Sequence, residues 1–213
     1  MSLFQLDPAS IAARTRAAGQ ALRLPALPAS MFRGLIGFTI LSILGFLPWP
    51  IMDYWFPFLR EGHLYVACTA IFIGLSGPCL HRLILGPGSM SRFYKLFALA
   101  FIAYAVVWVG FWMAWRGDAG SLAGLFGGAA VMCAVLALAF DAPRAFPLSV
   151  AALFLLNTAG FYLAGWIEGK ILLDHRLASM FLWALFWGLG FGAGLGAVFH
   201  FCQARARELL RAA

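Results

Sequence analysis

Six long apolar stretches fill most of the chain after Met31, and charged residues are concentrated in the short gaps between them. These stretches cover residues 33–47, 63–82, 96–115, 121–140, 148–166 and 177–202. Each approaches the length of about 20 residues that a helix needs to cross a bilayer. Backbone polar groups find no water in hydrocarbon, so each stretch should be helical. The sequence therefore predicts an all-α, polytopic integral membrane bundle of six transmembrane helices.

The composition excludes the two main alternatives. Hydrophobic residues make up 63% of the chain and charged residues 11%, whereas about a quarter of a soluble domain is charged. A membrane β-barrel would alternate apolar and polar residues, but residues 96–109 are continuously apolar. A helical membrane domain remains.

The two ends of the chain differ from the rest. Residues 1–30 are expected to be a cytoplasmic segment, in which Asp7 caps a helix that has Pro8 in its first turn. This helix is weakly amphipathic and should lie at the membrane interface, with a solvated tail as the alternative. Pro25 and Pro28 should break it before the transmembrane domain, residues 31–203. Residues 204–213 are expected to form a cytoplasmic tail.

Basic residues predict the orientation. With six spans both termini share one side, which carries eleven of the 15 basic residues. Arg60, Arg116, Lys170 and Arg176 lie on the other side. The positive-inside tendency places both termini in the cytoplasm, in a cytoplasmic (inner) membrane. The net charge of +7 is then explained by contact with lipid, and no nucleic-acid partner is expected.

An interfacial aromatic belt supports this orientation. Trp49, Trp55, Trp115 and Trp166 all fall at the face opposite the termini, where such belts form.

The middle of every span lacks Asp, Glu, Lys and Arg. Ionisable groups at that depth usually mark proton relays or ion pathways, so a proton- or sodium-driven carrier is disfavoured. The chain also lacks the G-x-S-x-G, H-E-x-x-H and Walker patterns. We therefore expect no catalytic residues and no metal site, while a channel for a neutral solute stays open.

Glycines recur at every fourth position in two spans. Gly188, Gly192 and Gly196 form one strip on the sixth span, and Gly120, Gly124 and Gly128 form another on the fourth. Such strips let helix backbones approach closely. They predict tight packing within the bundle, with a second subunit or a flat ligand as alternative neighbours.

Aromatic residues line one face of two spans. Tyr104, Trp108 and Trp112 are one turn apart on the third span, as are Trp183 and Trp187 on the sixth. Several lie too deep for an interfacial belt, and a buried indole N–H needs a partner. These rings are candidates for lining a cavity, the alternative being that they face lipid or fill the core.

Two polar features interrupt the apolar spans. Asn157 lies deep in the fifth span, and an amide in lipid is costly unless it is paired, so it should face the bundle interior or a ligand. Gly77 and Pro78 interrupt the second span, where the proline should kink the helix and free a carbonyl group.

Four histidines lie at matching depths of the second and sixth spans. His63 and His175 are at the outer ends, and His81 and His200 at the inner ends. Either pair could supply two axial ligands to a haem b. No cofactor is required by the sequence, however, and histidines at such boundaries are more often interfacial polar groups.

Three functions follow from these patterns. The first is a non-catalytic subunit or scaffold that packs against a partner membrane protein, a second copy of itself, or an apolar lipid or cofactor. The second is a channel or facilitator for a small neutral solute, with Asn157 and the aromatic residues lining the path. The third is a haem-binding electron carrier. The uncharged spans and the short loops place the subunit or scaffold first.

Overall fold

The computed structural model describes residues 4–19, 24–49, 51, 61–171 and 176–212, which form eight α-helices and no strand. The helices are α1 (Pro8–Ala17), α2 (Leu27–Gly45), α3 (Glu61–Leu80), α4 (Ser89–Trp115), α5 (Gly117–Ala139), α6 (Phe146–Ile171), α7 (Arg176–Cys202) and α8 (Ala204–Arg211). Helices α2 to α7 are long and apolar enough to cross a membrane. This confirms the predicted all-α fold with six candidate spans.

The first span begins earlier than the sequence indicated. α2 begins at Leu27, six residues before the expected start, with Pro28 in its first turn. Proline is tolerated there because the first helical N–H groups have no intrahelical acceptor. Pro28 therefore opens α2 and does not break the N-terminal helix, which already ends at Ala17.

The six spans form a closed ring in chain order. Each packs against the next, and α7 returns to pack against α2. We call the end where α2 begins and α7 ends the terminal face, and the other end the opposite face. α7 is the most buried of the six spans. In its apolar stretch 61% is buried, compared with 28% in α3, α4 and α6.

The N-terminal helix is capped as expected and packs against protein. The Asp7 carboxylate accepts a hydrogen bond of 2.9 Å from the Ser10 N–H, and these contacts hold the Asp7 pKa below its usual value. Leu6 and Ile11 are buried in the main hydrophobic core. The Arg16 guanidinium donates to the Leu209 carbonyl at 2.7 Å, which joins α1 to α8.

A single amide side chain ties the terminal face together. Gln203 is buried, and its Oε1 accepts a 2.8 Å hydrogen bond from the Leu85 N–H. Its Nε2 donates to the Leu83 and Phe199 carbonyls, each at 2.8 Å. Gln203 therefore anchors the connection between α3 and α4 to the end of α7.

Candidate functional site

An aromatic cavity opens in the half of the bundle nearest the opposite face. Its volume is about 220 Å³, and it is lined by residues of α3, α4, α6 and α7 and by Phe46 and Trp49, which follow α2. Ten of its fourteen lining residues are aromatic: Phe46, Trp49, Tyr65, Phe72, Phe101, Tyr104, Trp108, Phe161, Trp183 and Trp187. The remaining four are Cys68, Thr69, Ala105 and Val109. The first and second spans thus contribute to the lining, as well as the aromatic spans that the sequence singled out.

One wall of the cavity is a pair of stacked indoles. Trp183 and Trp187 are one helical turn apart on α7, and their rings lie 5.6 Å apart and within 20° of parallel. The Phe46 ring meets both edge-on, at 5.1 and 5.4 Å. Side chains four residues apart lie on the same face of a helix. That spacing makes this wall a continuous flat surface.

The facing wall is formed by α4. Trp108 lines the cavity and meets the Phe161 ring edge-on at 6.3 Å. Trp112 stacks on Trp108, with 6.3 Å between the rings, but it does not line the cavity. Its ring lies instead 4.5 Å from the Arg116 guanidinium carbon, in a cation–π contact.

Rings fill the bundle between the cavity and the terminal face. Phe101, Phe97 and Phe93 follow one another at one-turn spacing on α4, with rings stacked at 5.2 and 5.3 Å. Phe38 of α2 stacks on Phe191 of α7 at 4.3 Å, beside this column. The cavity is therefore closed on its inner side by apolar contacts.

Tyr104 and Asn157 form a buried polar pair beside the cavity. Both side chains are buried, and Asn157 Nδ2 donates a 2.9 Å hydrogen bond to the Tyr104 hydroxyl oxygen. A phenol both accepts and donates, and here its acceptor side is occupied. Tyr104 also lines the cavity, and its O–H is not donated to another described residue. Asn157 does not itself line the cavity and acts on it through Tyr104.

The glycine strip of α5 positions these cavity residues. A Cβ at Gly124 would lie 2.9 Å from the Trp108 carbonyl oxygen, and one at Gly128 would lie 2.8 Å from the Tyr104 ring. A Cβ at Gly120 would meet α4 further along, 3.1 Å from the Phe111 carbonyl oxygen. The strip therefore lets α4 approach α5 closely over the length that carries Tyr104 and Trp108.

The glycine strip of α7 faces α2. Gly188 lies against Thr39 and Ser42, Gly192 against Gly34 and Phe38, and Gly196 against Ser30 and Met31. None of the three glycines lines the cavity. Their small size is used for contact between two helices of the same chain.

The three described histidines, His63, His81 and His200, do not line the cavity. His63 is exposed, and His175 lies outside the described residues. His81 Nδ1 donates to the Gly77 carbonyl at 2.8 Å, whereas His200 Nδ1 lies 3.3 Å from the Ser30 hydroxyl. Within the described residues no group of three or more His, Cys, Asp or Glu side chains could hold a metal ion.

Comparisons with known proteins found no relative of this chain. No family model, curated protein or solved structure matches the chain.

The sequence did not single out half of the cavity. Phe46, Phe72 and Phe101 line it, together with Tyr65 and Phe161. They lie among other apolar residues of α3, α4 and α6 and at the end of α2. The one usable signal was the one-turn spacing on α4, which runs from Phe93 through Phe97 and Phe101 to Tyr104 and Trp108.

Proposed function

We propose that this multi-pass membrane protein is a non-catalytic subunit or scaffold that holds a small, flat, apolar ligand bearing a hydrogen-bond acceptor. The observation that carries the proposal is Tyr104, which lines a mostly aromatic cavity while its hydroxyl oxygen accepts a hydrogen bond from Asn157. Flat rings stack favourably on aromatic side chains. A carbonyl group on such a ring would pair with the Tyr104 O–H.

The size of the cavity narrows the ligand class. Its volume of about 220 Å³ lies below the roughly 300–1,000 Å³ of sites for drug-sized ligands. One ring or two fused rings match this space. A quinone ring, or a similar ring that carries a carbonyl group, satisfies both the size and the chemistry.

The membrane setting is part of the same proposal. We place the chain in a cytoplasmic (inner) membrane with both termini in the cytoplasm, because basic residues favour the terminal face. The cavity then lies in the outer half of the bilayer. A partner membrane protein or second copy would contact outward-facing apolar residues such as Val66, Leu138 and Leu155, because the glycine strips already pack within the chain.

The other two functions lack a comparable observation. A channel for a neutral solute needs a path beyond the cavity, and stacked rings occupy that part of the bundle. A haem carrier would use the paired histidines, and His63, His81 and His200, the three that the structure describes, do not line the cavity. It stays a prediction, for which a Soret band in the purified protein is the measurement.

The binding proposal is tested with menadione, a two-ring quinone, as the probe. The protein is reconstituted in phosphatidylcholine nanodiscs, and saturable quenching of tryptophan fluorescence is titrated. Ala105 lines the cavity, so Ala105→Phe should fill it and weaken binding at least tenfold. Val106, the next residue, is 66% exposed, so Val106→Phe adds the same ring outside the bundle and should stay within twofold of the wild type.

The hydrogen bond is tested separately. Tyr104→Phe keeps the ring and removes both the donor to the ligand and the acceptor of Asn157 Nδ2. It should weaken binding about fivefold to tenfold, the effect of one hydrogen bond lost to the ligand. Quenching that does not saturate, or that is equal in the Ala105→Phe and Val106→Phe proteins, would show partition into lipid and would refute the proposal.

A further inference from the structure

A second concave site lies on the side of the bundle, near the terminal face. It is a groove of about 660 Å³ between α2 and the end of α3, continuing along the α3–α4 connection to Ser89. It shares no lining residue with the aromatic cavity. We call it the lateral groove.

One end of the lateral groove is basic. Arg33 of α2 and Arg82, just after α3, both line it and are exposed. Neither guanidinium makes a hydrogen bond or ion pair with another described residue. No acidic residue is among the described residues that line the groove. Two permanent positive charges therefore line an open site whose described lining residues supply no counter-charge.

The wall of the groove is apolar and follows α2. Phe32, Ile36 and Ile40 line it at one-turn spacing and are all exposed. Eight residues of α-helix span about 12 Å, so this stripe runs from the basic end toward the middle of the span. Such a length of apolar surface matches the upper part of an acyl chain.

The floor of the groove is formed where α2 and α3 meet. Gly37 lies directly against the Cys79 carbonyl oxygen, where a Cβ would leave no room. Pro78, Cys79 and His81 continue the floor, and His81 Nδ1 is already bonded to the Gly77 carbonyl. The close approach of the two helices makes the floor continuous.

We infer that the lateral groove binds an anionic glycerophospholipid. The phosphodiester headgroup lies between Arg33 and Arg82, since guanidinium groups pair strongly with phosphate oxygens. One acyl chain lies along Phe32, Ile36 and Ile40. The charged end and the apolar stripe follow one another as the headgroup and acyl chain of a lipid do within one leaflet. A free phosphate would contact the two arginines but would leave the apolar stripe unused.

The inference is tested by native mass spectrometry of protein released from nanodiscs of phosphatidylcholine with phosphatidylglycerol. The double variant Arg33→Gln, Arg82→Gln should retain at least fivefold less phosphatidylglycerol than the wild type. The matched control is Arg144→Gln, Arg205→Gln, which removes two exposed arginines outside the groove. This control should stay within twofold of the wild type, and an equal loss in both double variants would overturn the inference.

Two further experiments use the wild-type protein. A phosphatidylglycerol with a photoreactive acyl chain should crosslink mainly to residues 32–40, and crosslinks spread evenly over all exposed spans would refute a defined site. Soluble glycerol phosphate at millimolar concentration should not displace the lipid. Displacement would show that the groove takes a free phosphate, and the lipid assignment would be wrong.

Discussion

The Tyr94 hydroxyl donates a 2.7 Å hydrogen bond to the Gly74 carbonyl oxygen. Gly74 is four residues before Pro78, which lies inside α3 and has no N–H to give to that carbonyl. A side chain of α4 thus replaces the missing backbone donor. Gly77 allows this, because a Cβ there would overlap the Tyr94 ring.

Tyr94→Phe should therefore destabilise the bundle by about 0.5–1.5 kcal/mol, since it leaves the Gly74 carbonyl without a donor. In a Pro78→Ala background the new backbone N–H satisfies that carbonyl. There the cost of Tyr94→Phe should fall close to zero. Unfolding in SDS is measured for the wild type, the two single variants and the double variant, and gives the coupling energy between Tyr94 and Pro78. An equal cost of Tyr94→Phe in both backgrounds would contradict the proposal that the tyrosine hydroxyl replaces the missing backbone N–H.

Close packing between α6 and α7 gives a second prediction. A Cβ at Gly190 would come within 2.8 Å of Gly160 Cα, and overpacking against backbone typically costs about 1–3 kcal/mol. Gly190→Ala should lower the thermal midpoint in detergent. Gly165→Ala is the control, because nothing lies within 4 Å of its Cβ position. That variant should be neutral or stabilising, since alanine is the better helix former.

Gln203 should control the dynamics of the α3–α4 connection. Gln203→Leu removes three hydrogen bonds and leaves the Leu85 N–H and the Leu83 carbonyl without partners, at a cost of about 1–3 kcal/mol for each buried group. Hydrogen exchange at the Leu85 amide should then accelerate at least tenfold. Gln203→Glu keeps the acceptor for Leu85, so protection of that amide should be largely preserved. Unchanged exchange in Gln203→Leu would show that the anchor is dispensable.

Asp7 gives a prediction about pH. Its pKa is lowered from 3.8, first by the side-chain and backbone hydrogen bonds to Ser10. A group whose pKa falls on folding stabilises the folded state above its unfolded pKa and loses this as pH drops through the folded value. The wild type should have a higher free energy of unfolding than Asp7→Asn at pH 6. This difference should shrink as the pH falls below 3.8. A difference in the free energy of unfolding that is constant from pH 6 to pH 3 would show that the Asp7 charge does not contribute to stability.

The sequence predicted the spans well because hydropathy is a local property. It misplaced the start of α2, because a proline in the first turn and a proline that breaks a helix look alike in sequence. It treated residues 204–213 as a tail, although Ala204–Arg211 is helical and buries Ala206 and Arg207. That helix forms against α1, a contact between the two ends of the chain that no local pattern reveals.

The candidate cavity was predicted in part. Tyr104, Trp108, Trp183 and Trp187 were named from their spacing, and all four line the cavity. Phe46 and Phe72 were not named, because their spans are apolar on every side and the sequence does not indicate which face points inward. In lipid both the core face and the outer face of a helix are apolar, so the alternation that marks a buried face in water is lost.

The amino-acid sequence by itself determined that the chain has six helices long and apolar enough to cross a membrane, and where charges, prolines and glycines interrupt the apolar stretches. Only the tertiary structure decided that α7 closes onto α2, that Asn157 meets Tyr104, and that Arg33 and Arg82 face one groove. The physical reason is that burial of apolar segments depends on composition over a few turns of helix. Pairing of polar groups depends on which helices become neighbours, and side chains far apart in the chain decide that together.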